Sequence, residues 1–142
     1  MQYLSQRDPR WSFKTIGQSK TTIGAMGCTI TGISMLSDYF KCFKDPAWMA
    51  KNLTFLVDKV IWQSIGKVLC FKFVWRFYKY EERIILDAIK EPDKACLLNV
   101  YNRHWVVAIR KVPFGYWVAD PWDAKGKFFK TNSISGGAIF NR

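Results

Sequence analysis

Three side chains in this 142-residue chain have the types and placement that acyl-transfer chemistry requires: Cys28, His104 and Asp120. Glycines crowd the approach to Cys28 in Gly24-Ala25-Met26-Gly27, and after it Ile30, Ile33 and Leu36 recur at helical spacing. The pattern predicts a tight turn that delivers Cys28 to the first turn of a helix. Unpaired backbone N–H groups and the positive end of the helix dipole stabilise a thiolate there and lower its pKa. Gly24, Ala25 and Gly27 also leave room for a substrate backbone beside the sulfur. The bland alternative is a buried cysteine next to a glycine turn, since free cysteine is among the most buried residue types.

His104 is the only histidine and opens the apolar run His104-Trp105-Val106-Val107-Ala108-Ile109. At a strand's entry, after the polar Asn102-Arg103, it can face a cleft while the strand is anchored by its apolar residues. Asp120 stands sixteen residues later, at the end of the next strand and before Pro121-Trp122. A hairpin turning near Gly115 folds that strand back, and the expected register sets His104 and Asp120 side by side. A thiolate, an imidazole to share its proton and a group to orient the imidazole form a nucleophilic constellation. Taken singly, each has a plain reading: a surface histidine at a loop edge, and an aspartate serving a turn before proline.

The elements that must position these residues follow from pattern. Tyr3 to Trp11 reads as a short strand breaking at Asp8-Pro9, and residues 12–27 as loop. The Cys28 helix runs to about Phe40, and Asp45-Pro46 caps a second helix through Leu53. Asp58 to Leu69 reads as a third helix, and Phe71 to Tyr80 as a strand with poor alternation. The aromatic and basic residues of that strand would alternatively suit a nucleic-acid platform. Glu81 to Lys90 is an amphipathic helix ended before Pro92. Strands follow at Ala95–Val100, Trp105–Val112, Tyr116–Ala119 and near Ala138–Phe140, with a turn at Pro113-Phe114-Gly115. Helices first and an antiparallel sheet afterwards predict an α+β fold. No repeat or linker divides residues 1–142, so one domain is expected.

Composition narrows the class. Hydrophobic residues at 49% and aromatics at 17% exclude a disordered chain. No apolar run reaches the roughly 18 residues of a membrane span, and the first residues lack the basic-then-apolar order of a signal peptide. A cytoplasmic protein without its own export signal is expected. The four cysteines form no CxxC pair, and with one histidine a zinc site has little to draw on. No metal or cofactor is expected. Cys42, Cys70 and Cys96 sit among Phe, Val and Leu and read as core thiols. Four unpaired thiols fit a reducing compartment. The net charge of +11 is spread along the chain, which fits either a solvated basic surface or a polyanionic partner. Nucleic acid and an anionic bacterial cell wall both qualify.

Four segments together resemble the papain-like cysteine peptidases of the double-glycine (bacteriocin-leader) type, and in particular their free-standing C39-like relatives. They are Ser5-Gln6-Arg7-Asp8-Pro9-Arg10-Trp11, residues 22–35 around Cys28, His104 to Ile109, and Tyr116-Trp117-Val118-Ala119-Asp120-Pro121-Trp122. They stand in the family's order and span most of the chain. The resemblance implies a papain-like α+β fold, with the nucleophile at a helix N-terminus packed on a C-terminal antiparallel sheet. It implies Cys28 as nucleophile, His104 as base and then acid, and Asp120 as the group orienting the imidazole. Gln6 would give one oxyanion-hole donor from its side chain and Cys28 the second from its backbone N–H. Trp105 or Trp122 would shield the His–Asp bond, or simply pack.

The leader peptidases are normally fused to an export transporter, and the absence of a membrane span here argues against leader processing during export. A small, basic chain of this kind suits a phage or bacterial lysin cutting peptidoglycan peptides, made in the cytoplasm and released to the wall on lysis or carried in a virion. The alternatives are an intracellular protein-processing cysteine peptidase, or a non-catalytic basic binding module on the same fold.

Overall fold

The computed structural model describes residues 1–142, and its centre is a helix whose middle touches no water. A short helix α1 (Ile23–Met26) abuts α2 (Cys28–Tyr39), followed by α3 (Pro46–Asn52). Every residue of α2 from Ile30 to Ser37 is buried, polar Thr31, Ser34 and Ser37 included. Ser34 and Ser37 escape the cost of burial by hydrogen bonding: Ser34 Oγ donates to Lys44 O, and Ser37 Oγ to Ser34 O at 2.6 Å. Gly32 lets the helix approach the sheet, since a Cβ there would lie 2.9 Å from Leu97 Cδ2. Helix α3 begins as its sequence predicts. The Asp45 carboxylate accepts from Trp48 N–H at 2.7 Å, with Pro46 in the first helical turn.

A minimal hairpin follows, β1 (Phe55–Leu56) and β2 (Lys59–Val60), then a 3₁₀ helix at Trp62–Lys67. The remaining elements are β3 (Lys72–Phe77), α4 (Glu82–Lys90), β4 (Lys94–Val100), β5 (His104–Val112), β6 (Gly115–Asp120), β7 (Lys125–Lys130) and β8 (Ile134–Asn141). Strands β3 to β8 form one antiparallel sheet in the order β3-β8-β4-β5-β6-β7. Alternation divides its two faces. Leu97, Val107, Ala119 and Phe140 pack toward the α2 side with Ile33 and Leu36. Leu98, Val106, Val118 and Ile139 pack toward α4 with Ile85 and Ala88. This is the α+β arrangement expected, with N-terminal helices on a mainly C-terminal antiparallel sheet.

Several local expectations fail, each for a physical reason. Tyr3 to Trp11 is not a strand but a series of turns held by the body of the protein: Trp11 Nε1 donates to Ser5 O at 2.8 Å. Asp58 to Leu69 is not an α-helix. Its β-branched Val60 ends the small hairpin, Ile61 leads out of it, and only the 3₁₀ segment Trp62–Lys67 around buried Ile65 is helical. Strand β7 carries three lysines over six residues, so it lacks an apolar signature; as an edge strand it pairs only with β6.

Cys42 and Cys70 are not free thiols. They form a disulfide with Cα atoms 6.2 Å apart, leaving Cys28 and Cys96 as the free cysteines. The bridge ties the loop after α2 to the segment entering β3, beside the packed rings of Phe40 and Phe71 at 4.9 Å. The argument for a reducing compartment from four unpaired thiols therefore no longer holds.

Candidate active site

Cys28 is the first residue of α2, and Gly27 is the junction that places it there. The Gly27 N–H closes α1 by donating to Ile23 O at 2.7 Å. A Cβ on Gly27 would lie 2.6 Å from Ile23 Cγ2, so the two helices abut only because the residue before the cysteine has no side chain. Cys28 is half-buried. Burial pushes its thiol up, but the His104 hydrogen bond, the Trp105 backbone N–H, the His104 charge and the Thr29 hydroxyl outweigh it. The net effect holds Cys28 below the ordinary thiol value.

His104 enters β5 from a tight turn in which Tyr101 and Asn102 both have positive φ, 54° and 57°. Arg103 N–H donates to Val100 O at 3.2 Å, as in a type I′ hairpin turn. The turn is anchored from outside, with Asn102 N–H donating to Ser135 Oγ at 2.7 Å and Tyr101 N–H to Ser133 O at 2.9 Å. Buried Asn99 adds Nδ2 to the His104 carbonyl at 3.3 Å. The imidazole Nε2 lies 2.6 Å from Asp120 Oδ1, which leaves Nδ1 as the nitrogen for the Cys28 thiol. Burial lowers the His104 pKa, but its bonds to Asp120 and Cys28 and their charges raise it further, to about 9.

Asp120 ends β6 with its carboxylate almost wholly buried. Its Oδ1 also accepts from Trp122 N–H at 2.9 Å, and its Oδ2 from Lys127 Nζ at 2.8 Å. Burial raises its pKa, but His104, Lys127 and the Trp122 N–H together bring it down to about 2. The two residues are not directly opposite each other, as the hairpin alone suggests. Val107 pairs with Ala119, and continuing that register sets Asp120 across from Val106, diagonal to His104. An irregularity between Ala108 and Arg110 shifts the pairing, and the side chains bridge the diagonal.

Gln6 is buried beside the same loop. Its backbone N–H donates to Pro121 O at 2.6 Å and its Nε2 to Gly24 O at 3.2 Å, while Oε1 is buried without a partner. The N-terminal segment is thereby clipped between the turn after Asp120 and the turn before Cys28. Ser5 Oγ donates to Trp122 O at 2.9 Å, and the Arg7 guanidinium sits 4.7 Å from the Trp122 ring. Trp122 is largely exposed and meets Asp120 through its backbone. Trp105 is half-buried, with its ring 5.2 Å from Trp62, and it lines the same cleft as Cys28.

A cleft of about 540 Å³ opens over Cys28, walled by Met26, Trp62, Trp105 and Arg76. Lys127 is the contributor that sequence reasoning missed, since it comes from the unpredicted strand β7 and nothing local marks it. The arrangement can hold a thiolate beside an imidazolium whose far nitrogen is fixed by a carboxylate.

No family profile matches this sequence, and no curated protein matches it. Among solved structures the chain is similar to a double-glycine motif protease from an AMS/PCAT transporter, in complex with the leader peptide. The TM-score is 0.62 at 14% identity, covering 99% of this chain and 98% of the other. The likeness is one of fold: the chain has the papain-like C39 peptidase fold. No helix is long and apolar enough to cross a membrane.

Proposed function

We propose that the chain is a cysteine peptidase or amidase working through a thioester acyl-enzyme. The observation that carries this reading is the 2.6 Å bond from His104 Nε2 to Asp120, made by the same ring that meets Cys28 at a helix start. In this reading the Cys28 thiolate attacks the substrate carbonyl carbon. The oxyanion receives the Cys28 backbone N–H and the amide proton of Gln6 Nε2 that Gly24 O does not take. His104 gives its proton to the departing amine as the C–N bond breaks, leaving a thioester. Neutral His104 then takes a proton from water as the resulting hydroxide adds to the thioester carbon, and collapse of that tetrahedral species breaks the C–S bond, releasing the acid and leaving the Cys28 thiolate beside the imidazolium. Asp120 keeps Nε2 protonated, so Nδ1 faces the sulfur throughout.

The substrate proposed is the peptide part of peptidoglycan, cut by a phage or bacterial lysin. The net charge of +11 supports attraction to anionic wall polymers. The Cys42–Cys70 disulfide supports action in an oxidising environment, which favours this reading over an intracellular processing peptidase.

Alkylation by iodoacetamide from pH 4 to 9, read by mass spectrometry, tests the chemistry. Cys28 is expected to react fast below pH 7 and to lose that advantage in His104→Ala. Equal behaviour of the two proteins removes the thiolate–imidazolium pair and the enzyme with it. Clearing of bacterial wall suspensions that disappears in Cys28→Ala tests the substrate.

A further inference from the structure

The cleft holds a cation that the proposed chemistry does not use. Arg76, on β3, pairs across to Ala138 and sends its guanidinium into the cleft beside Trp105. The guanidinium carbon lies 4.7 Å from the Trp105 ring centre and 4.4 Å from that of Tyr78. The same Trp105 follows His104 in the chain and lines the cleft together with Cys28, so the guanidinium and the sulfur face one space.

Arg76 has no carboxylate partner: every ion pair in the molecule is made by other residues. Its only hydrogen bonds run from Nη1, to Phe77 O and, at 3.0 Å, to Gly137 O. Nε and Nη2 are unspent. Burial pushes its pKa below the ordinary arginine value, the mark of a cation that has lost water without gaining an anion. Space is kept for it by Gly136, where a Cβ would lie 3.1 Å from Nη1.

The rest of the lining has the same sign. Lys59 and Arg103 border the cleft, and its only acid is Asp58. That carboxylate is already engaged, accepting from Thr21 Oγ1 at 3.1 Å and standing 4.0 Å from Lys59 Nζ. A partly buried guanidinium that no carboxylate of the chain pairs with, set among further cations, is suited to binding an anion. Its two free donors form a planar fork that matches the two oxygens of a carboxylate. The fork suits phosphate as well, but a peptide in the cleft brings an anion only as a carboxylate.

We propose that Arg76 is a specificity residue that receives a peptide carboxylate close to the scissile bond, so that the site selects acidic peptides over neutral ones. The scissile bond rests on Cys28 acting as the nucleophile; the carboxylate site itself does not. The carboxylate comes either from an acidic side chain or from a free peptide C-terminus.

The test is protection of Cys28 from iodoacetamide by short synthetic peptides, with rates read by mass spectrometry. One set carries Glu or Gln at each position in turn, capped at both ends. A second set is neutral in its side chains, with a free or an amidated C-terminus. A carboxylate peptide in one of the two sets is expected to half-protect Cys28 at a concentration at least tenfold below its amide twin. The set in which this occurs identifies the source of the carboxylate. In Arg76→Gln the ratio is expected to fall to near one, and in Arg76→Lys, which keeps charge without the fork, to an intermediate value.

Equal protection by acid and amide peptides in both sets overturns the proposal. So does a wild-type ratio that survives unchanged in a folded Arg76→Gln. The wild-type comparison needs no variant, so a misfolded Arg76→Gln leaves that arm decisive. Protection can be measured on a slow thiol as well as a fast one. An acid preference at a Cys28 indifferent to His104→Ala would therefore retain the carboxylate site while sinking the peptidase reading.

Discussion

Lys127 Nζ lies 2.8 Å from Asp120 Oδ2, on the carboxylate oxygen that His104 does not occupy. The buried carboxylate is thus shared between two cations, with Asp123 Oδ2 holding the lysine from its far side at 3.0 Å. Removing the lysine takes a positive charge away from the imidazolium and frees Asp120 to interact more fully with it. Lys127→Met is therefore expected to raise the His104 pKa above its present value of about 9. NMR titration of the single imidazole measures this directly, and a downward shift would show that the lysine acts mainly by holding Asp120 in place.

The pH dependence of folding follows from the same pair. His104 is raised from 6.5 to about 9, so its contribution is fully present below pH 6.5 and lost as pH rises through 9. Asp120 is lowered from 3.8 to about 2, so its contribution is present above pH 3.8 and lost as pH falls through 2. Both act between about pH 4 and 6.5. In Asp120→Asn the stability in that window should fall by on the order of 2 kcal/mol, and the loss between pH 6.5 and 9 should flatten. Urea unfolding at pH 5.5 and pH 9 checks both, and an unchanged pH slope would contradict the coupling.

Gln6→Ala separates oxyanion stabilisation from thiolate formation. Loss of one oxyanion donor typically costs about a hundred- to a thousandfold in rate. Wall-clearing activity should fall by that factor, while the pH profile of Cys28 alkylation keeps its His104-dependent form. A drop of less than threefold would remove Gln6 from the proposed oxyanion hole.

The disulfide closes a segment with a sequence separation of 28. Loop-closure entropy for that length gives roughly 3–4 kcal/mol of stability. Dithiothreitol, or Cys42→Ser with Cys70→Ser, should lower the unfolding free energy by about that amount. Alkylation of unreduced, denatured protein should label Cys28 and Cys96 alone. Labelling at four positions would show the bridge absent.

Features under short-range physical control were legible in the chain's local pattern. Gly27 before Cys28, with Ile30, Ile33 and Leu36 behind it, specifies a turn and a buried helix face within a dozen residues. Pro113-Phe114-Gly115 specifies the hairpin that returns Asp120 toward His104, and α4 follows from its own apolar stripe. The α+β order of elements was legible for the same reason. Tertiary structure decided the rest. The diagonal between His104 and Asp120 depends on an irregularity inside β5 that no residue type announces. Cys42 and Cys70 meet beside the packed rings of Phe40 and Phe71, and Lys127 reaches Asp120 through the pairing of the basic edge strand β7 with β6. Gln6 acquires its place from Pro121 and Gly24, each far from it along the chain. These are contacts between segments whose local sequences are each compatible with several structures. Only burial of the shared core, which no segment achieves alone, selects among them.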